Sequence, residues 1–289
     1  MRLCALMPIQ DMKQLYSEGG PGEVLRGVGR FLYYNTPVRD LRHSLLLRDG
    51  VSVMNCSVGD TSARFYITNE AELNRFDTAF GLAELSEQPV IESFLKDIED
   101  AETAFDIGAN VGTYTCLAGR KLDSGSIHAF EPHPNNIDRL RENIQLNDLT
   151  SSVKVHDYAL SDVTGEFDLS VRVSSEAAEG SHSLISDSDI GEKIPVSTYR
   201  GDELIGEELP EPDLIKIDVE GAEFKVIKGL QDTISKSEPI IYCELHRDQL
   251  KEDGASANEV TELLTQKSYT IETLYERTSS TKFIRAIPE

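Results

Sequence analysis

From about residue 103 onward, short apolar runs alternate with amphipathic ones, and this rhythm is what most constrains the fold. Strands are expected at "TAFDIGA" (103–109), "SIHAFEP" (126–132), "VKVHDYAL" (153–160), "DLIKIDVE" (213–220) and "PIIYCELH" (239–246). The stretches between and after them, "GTYTCLAGRKL", "PNNIDRLRENIQLN", "AEFKVIKGLQDTIS" and "SANEVTELLTQK", carry helical spacing. Strand and helix in alternation give a mostly parallel sheet covered on both faces. Right-handed crossovers then make it doubly wound, an α/β, Rossmann-like architecture. Two last strands, "YTIETLYER" and "TKFIRAIP", are joined tightly at "TSST". A ligand is expected beyond the carboxyl ends of the strands, where the strand order switches.

The expected domain spans 96–289, and residues 1–95 form a less regular α+β extension that would cover an acceptor. In it, a helix is expected to break at Gly19, Gly20, Pro21 and Gly22. A hairpin turns at Gly59-Asp60, and a helix follows with Val90, Ile91, Phe94, Leu95 and Ile98 on one face.

Charge limits the partners. The chain has 51 Asp and Glu against 28 Lys and Arg, a net charge of −23. Such a surface repels phosphate backbones and anionic membranes, so nucleic acid is not an expected partner. It suits a salt-rich cytoplasm, where cations screen the self-repulsion; a solvated acidic face in ordinary salt is the plainer reading. The cysteines Cys4, Cys56, Cys116 and Cys243 show no CxxC spacing, and Cys116 and Cys243 read as small buried hydrophobes in a reducing compartment. The first residues are too weakly apolar for a signal peptide, and no run approaches the roughly 18 residues of a spanning helix. A soluble, cytoplasmic protein is expected.

"AFDIGANVGTYT" (104–115) is a strand, a glycine turn and a helix start. It lacks the Lys of a P-loop. It also lacks the second glycine of a dinucleotide fingerprint, where Asn110 would crowd a pyrophosphate. Asp106 suits a ligand carrying positive charge, as S-adenosylmethionine does with its ammonium and sulfonium. Gly108 and Gly112 let the backbone pass beneath such a ligand, and the helix entrance at Thr113 and Tyr114 offers free N–H groups to its carboxylate. Glu131 ends the next strand 23 residues after Gly108, where a ribose anchor belongs. Asp157 is placed to meet an adenine amino group, with Tyr158 or Ala159 beside the ring; an ordinary strand end is the alternative.

"DIGANVGTYT", "FEPHPNN", "ALSD", "LIKIDVEGAEFKVIKG" and "IIYCELH" together resemble the FkbM-type family of S-adenosylmethionine-dependent methyltransferases, from about Glu87 to His246. The resemblance implies a seven-stranded class I methyltransferase sheet ending in an antiparallel hairpin. It also implies methyl transfer, mostly to oxygen, on natural products or sugars. An NAD-dependent oxidoreductase and a non-catalytic binding protein on the same fold remain the rivals.

In such a fold "DLIKIDVEGAE" faces the glycine turn across the crevice. Asp218 then lies near the methionine portion, steadying a cation or orienting the acceptor. Glu220 and Glu223 follow the Gly221 turn as candidate substrate contacts, though Glu223 also reads as a helix-start carboxylate. Lys216 pairs with a site carboxylate or serves as a structural ion. Glu244 and His246 share one strand face, and either could take a proton from a hydroxyl acceptor. His133 stands near the ribose, and His182 lies in the 165–200 insertion, in reach of substrate or simply solvated. The carboxylates with His246 could hold a divalent metal, but no ligand geometry is fixed and no metal is expected.

Overall fold

The computed structural model describes residues 9–35, 37–46, 50–76, 87–171, 182–183 and 192–289. It divides into two compact units, Met1–Cys56 with Phe65–Ser86 and Ser57–Arg64 with Glu87–Glu289.

The first unit contains α1 (Ile9–Asn35), α2 (Val38–Leu46) and α3 (Glu70–Phe76); strands β1 (Ser52–Val58) and β2 (Thr61–Ile67) pair as the expected hairpin, of which Ser57–Arg64 belongs to the second unit. The interruption expected at Gly19–Gly22 shrinks to one residue. Gly20 takes φ +71 before Pro21, and α1 continues across both. Proline lacks the N–H that a helix interior needs, and the glycine absorbs the misfit in a left-handed conformation. At the start of α3, Asn69 Oδ1 accepts the Glu72 N–H at 2.8 Å while Glu72 Oε2 accepts the Thr68 N–H at 2.8 Å. These reciprocal bonds satisfy donors that the helix cannot.

In the second unit, α4 (Gln88–Asp97) leads into β3 (Thr103–Ile107), α5 (Thr113–Lys121), β4 (Ser126–Phe130), α6 (Pro134–Leu146) and β5 (Val153–His156). Then follow β6 (Ala159–Ser161), β7 (Gly165–Val171), β8 (His182–Ser183), β9 (Glu192–Arg200) and α7 (Gly201–Leu204). The chain continues through β10 (Leu214–Ile217), α8 (Glu223–Gly229), α9 (Gln231–Ser237), β11 (Ile240–His246), α10 (Arg247–Glu252), α11 (Ala257–Thr265), β12 (Tyr269–Glu276) and β13 (Thr281–Pro288).

The central sheet has seven strands in the order β12-β13-β11-β10-β3-β4-β5. All neighbours from β11 to β5 run parallel, and β13 is antiparallel to both β11 and β12. Every residue of β3 and β10 is buried, as a sheet covered on both faces requires. Phe105, Ile107, Ile215, Ile217, Val226, Ile241 and Ile284 form its core. Each such side chain contributes about 1.5–3 kcal/mol on burial. The strand order reverses between β3 and β10, so the crevice opens at their carboxyl ends, above Ile107 and Ile217.

Two expected elements differ. The strand expected over 153–160 ends at His156. Asp157 is exposed, and the chain leaves the central sheet there. Ala159–Ser161 then pairs in parallel with Thr198–Arg200 in a second sheet ordered β6-β9-β7-β8. The described parts of the 165–200 insertion are therefore paired strands, with Gly165 opposite Thr198 and Val171 opposite Glu192. The helix expected over 222–235 is two short ones, α8 and α9, separated at Leu230.

Cys56, Cys116 and Cys243 are buried free thiols, as expected of Cys116 and Cys243; Cys4 lies outside the described residues. No helix among the described residues is long and apolar enough to cross a membrane.

Candidate active site

The chain leaves β3 through a turn that only a specific sequence permits. Gly108 has φ +79, and a Cβ there would stand 1.8 Å from the carbonyl oxygen of Asp218. Glycine thus lets the turn lie directly against the end of β10. Gly112, with φ +91, would drive a Cβ to 2.6 Å from Leu140. Asn110, between them, takes φ +53, a left-handed conformation that Asn tolerates better than most residues. The Gly108 and Ala109 N–H groups both donate to Phe130 O, at 2.9 and 3.0 Å, which pins the turn to the end of β4.

Glu131, just past β4, is the centre of this half. Its Oε2 accepts the Asn110 N–H at 2.8 Å, and its Oε1 accepts the His133 N–H at 2.8 Å and the Asn136 amide at 3.3 Å. Burial pushes its carboxyl up to about 7, against the pull of those hydrogen bonds. Thr113 opens α5, and its hydroxyl is buried without a hydrogen-bond partner. Tyr114 is buried beside it and donates its hydroxyl to Glu87 at 3.2 Å. Asp157 is exposed with Arg141 at 3.8 Å, while Ala159 is buried in β6.

These residues fit S-adenosylmethionine. Residues 106–114 carry no Lys or Arg to meet a phosphate, and Glu131 would repel one. An orphaned hydroxyl at a helix start and a fixed carboxylate at the strand end suit an amino-acid carboxylate and a ribose.

Asp106 and Lys216 sit opposite each other on β3 and β10. Asp106 is buried; its Oδ1 lies 3.1 Å from Lys216 Nζ, and its Oδ2 accepts the Thr115 hydroxyl at 2.5 Å. Lys216 Nζ also donates to Gly108 O at 2.9 Å and stands 3.6 Å from Asp218 Oδ2. Burial alone would pull the ammonium down, but Asp106 and Asp218 outweigh it and hold the group charged. The ion thus ties the glycine turn to both strands.

The other half hangs on Glu223. It is fully buried, and its Oε1 accepts the Gly221 N–H at 2.9 Å and the His246 Nδ1–H at 2.7 Å. The imidazole's other nitrogen, Nε2, then faces Glu220 Oε2 at 3.6 Å, Glu244 Oε1 at 3.8 Å and Asp218 Oδ1 at 3.9 Å. Burial would lower the His246 pKa, but the bond to Glu223 and the surrounding carboxylates raise it to about 10. Burial, with Asp218 close by, lifts the Glu244 carboxyl to about 9. One donor atom each from Asp218, Glu244 and His246 lie within 4.8 Å of one another.

The structure therefore gathers Lys216, Asp218, Glu220, Glu223, Glu244 and His246 at one end of the sheet, beside the glycine turn. His133 contributes its backbone N–H to Glu131, and His182 lies in β8 opposite Val171. Sequence reasoning missed Arg277. Its Nη1 stands 3.6 Å from Glu244 Oε1, and it also pairs with Glu87. The signal was the hairpin itself: β13 starts at Thr281 opposite His246, so the turn before it must pass the end of β11. Arg247 N donates to Ser280 O at 2.8 Å and holds that turn in place.

A seven-stranded sheet of this order, with a glycine turn after β3 and a buried carboxylate after β4, is that of an S-adenosylmethionine-dependent methyltransferase. The methyltransferase FkbM domain description matches residues 106–271. A hexuronic acid methyltransferase, AglP, of Haloferax volcanii is 32% identical over 238 residues, covering 81% of this chain and 90% of that protein. The 31-O-demethyl-FK506 methyltransferase FkbM of Streptomyces tacrolimicus is 26% identical over 202 residues, covering 61% of this chain and 75% of that protein. A crystal structure of a methyltransferase FkbM from Methylobacillus flagellatus aligns with TM-score 0.46 and 15% identity, over 89% of this chain and 61% of that one. The chain belongs to the FkbM methyltransferase family.

Proposed function

We propose that this protein methylates an oxygen of a sugar acid of the hexuronate class. The observation that carries this reading is the 32% identity to a hexuronic acid methyltransferase across 90% of that protein's length.

The residues divide the work as follows. Glu131 accepts the ribose hydroxyls, and the N–H groups and hydroxyl at Thr113, above the Gly108–Gly112 turn, take the amino-acid carboxylate. Asp157 and Ala159 border the adenine. Asp218 faces the cationic end, and Glu244 and His246 face the acceptor, with Glu220 at the rim. Asp106, Lys216 and Glu223 are positioning residues: each is buried and engaged within the protein. S-adenosylmethionine supplies a methyl group on a sulfonium; the acceptor O–C bond forms as the C–S bond breaks, the electron pair goes to sulfur, and a hydroxyl acceptor would pass its proton to a site carboxylate or water, whereas a carboxylate acceptor has none to lose. Holding the acceptor oxygen in line with that bond is the chief source of rate.

The acidic surface fits a salt-rich interior, and the melting temperature should climb with KCl toward molar levels. The test of function is to incubate the protein with S-adenosylmethionine and either hexuronates or matching neutral hexoses, in molar KCl, and to read methyl gain by mass spectrometry. Methylation confined to the hexuronates is expected. Equal turnover of neutral hexoses, or no product from any sugar acid, overturns the reading. Mild alkali then tells an ester from an ether.

A further inference from the structure

We propose that Asp218, Glu244 and His246 bind a divalent cation that receives the oxygens of the acceptor. The inference rests on the sugar-acid reading for the acceptor but not for the cation site.

The donors come from the carboxyl ends of two adjacent parallel strands, β10 and β11. Their mutual spacing, within 4.8 Å, is what one ion needs. Donors held at roughly 2.1–2.6 Å from a common ion stand at most about 5 Å apart. The separations of 3.6–3.9 Å between His246 Nε2 and the three carboxylates are too long for hydrogen bonds. His246 Nε2 therefore faces the three carboxylates without a hydrogen bond to any of them.

A second observation points to a ligand. Glu244 is 2% exposed, and its Oε1 has no hydrogen-bond partner. Arg277 Nη1 at 3.6 Å and His246 Nε2 at 3.8 Å lie within ion-pairing range of it but beyond hydrogen-bond reach. A buried carboxylate oxygen aimed into a cluster of donors is ordinarily satisfied by something. The imidazole is also set as a metal ligand is set. Glu223 takes Nδ1–H at 2.7 Å and fixes the ring with Nε2 toward the carboxylates, where a bound ion would take the place of the Nε2 proton.

Charge gives the reason for the site. An anionic acceptor entering here meets Asp218 and Glu220, while the neighbouring cations Lys216 and Arg277 are already engaged by Asp106, Asp218, Glu87 and Glu244. A divalent cation inverts that repulsion and leaves coordination positions for acceptor oxygens. Two carboxylates and one imidazole suit the Mg²⁺ and Mn²⁺ class better than metals that favour thiolates.

The test uses the full chain, stripped with chelator and kept in molar KCl so that its diffuse negative charge is screened. Mn²⁺ alone is titrated, and the free ion is read by electron paramagnetic resonance. A single saturable site is expected, weakened by at least about tenfold in Asp218→Asn and Glu244→Gln. Circular dichroism and an unchanged thermal melt show that the variants are folded. Pulsed resonance of the wild-type complex should show coupling to an imidazole nitrogen, a readout that needs no variant. Absence of a saturable site, equal binding by wild type and variants, or no nitrogen coupling overturns the proposal. S-adenosylhomocysteine binding and hexuronate methylation in excess chelator are measured in parallel. If both persist while Mn²⁺ fails to bind, the cation falls and the methyltransferase reading stands.

Discussion

Glu223 at the start of α8 and His246 at the end of β11 share a 2.7 Å hydrogen bond, made where neither side chain reaches bulk water. The bond joins the turn after β10 to the end of β11. Glu223→Gln keeps the shape but removes the charge that holds the imidazolium. It should cost about 1–3 kcal/mol in urea denaturation and lower the His246 titration, read by NMR, by about 1–3 units. An unmoved histidine would show that the surrounding carboxylates, not Glu223, set its charge.

Two glycines with left-handed backbones separate strain from close contact. Gly108→Ala suffers both, since its new Cβ would sit 1.8 Å from Asp218 O. Gly206→Ala, at φ +91 with nothing within 4 Å, suffers strain alone. The second should cost about 1–2 kcal/mol and leave S-adenosylhomocysteine binding intact. The first should cost about 2–5 kcal/mol and abolish binding. Thermal melts and calorimetry at fixed salt check both.

The Glu131 carboxyl is raised in the folded protein to about 7 from 4.5. Its stabilising contribution is therefore full below the unfolded value and is lost as pH rises through about 7. Cofactor binding runs the other way. As the proposed ribose anchor, Glu131 would accept both hydroxyls when ionised, so affinity for S-adenosylhomocysteine should strengthen across about pH 6 to 8. Glu131→Gln should flatten that slope in calorimetric titrations. A wild-type affinity independent of pH would remove Glu131 as the ribose anchor.

Lys216→Met strands Asp106 in the core, because the pair is 3.1 Å apart and buried on both sides. Breaking such a pair from one side should cost about 3–5 kcal/mol. Adding Asp106→Leu should restore part of the loss, since two apolar groups leave no charge unpaired. Denaturant midpoints of the two variants measure the recovery.

The parts legible in the sequence are those written in local periodicity. Alternating runs marked the strands of the central sheet, and the turn residues Gly108, Asn110 and Gly112 stood out because few sequences permit that backbone. Glu131 lies just past the end of β4, where counting from the turn predicts it. The parts that escaped depend on distant partners. Residues 153–160 read as one strand because their apolar pattern continues across Asp157, yet the chain changes sheets there. Glu223 read equally well as a helix-start carboxylate, because its bond to His246 joins residues from different strands' ends. Arg277 carried no local signal at all and reaches Glu244 only through the antiparallel register of β11 and β13.

That register has an evolutionary reading. The turn carrying Arg277 borders Glu244 at the end of β11, while the glycine turn proposed to hold the nucleoside is built on β3 and β4, on the far side of β10. On the proposed assignment, insertions or charge swaps between β12 and β13 would redirect which molecules are modified without disturbing the donor pocket. Descendants of such a scaffold can diversify their chemistry's targets one hairpin at a time.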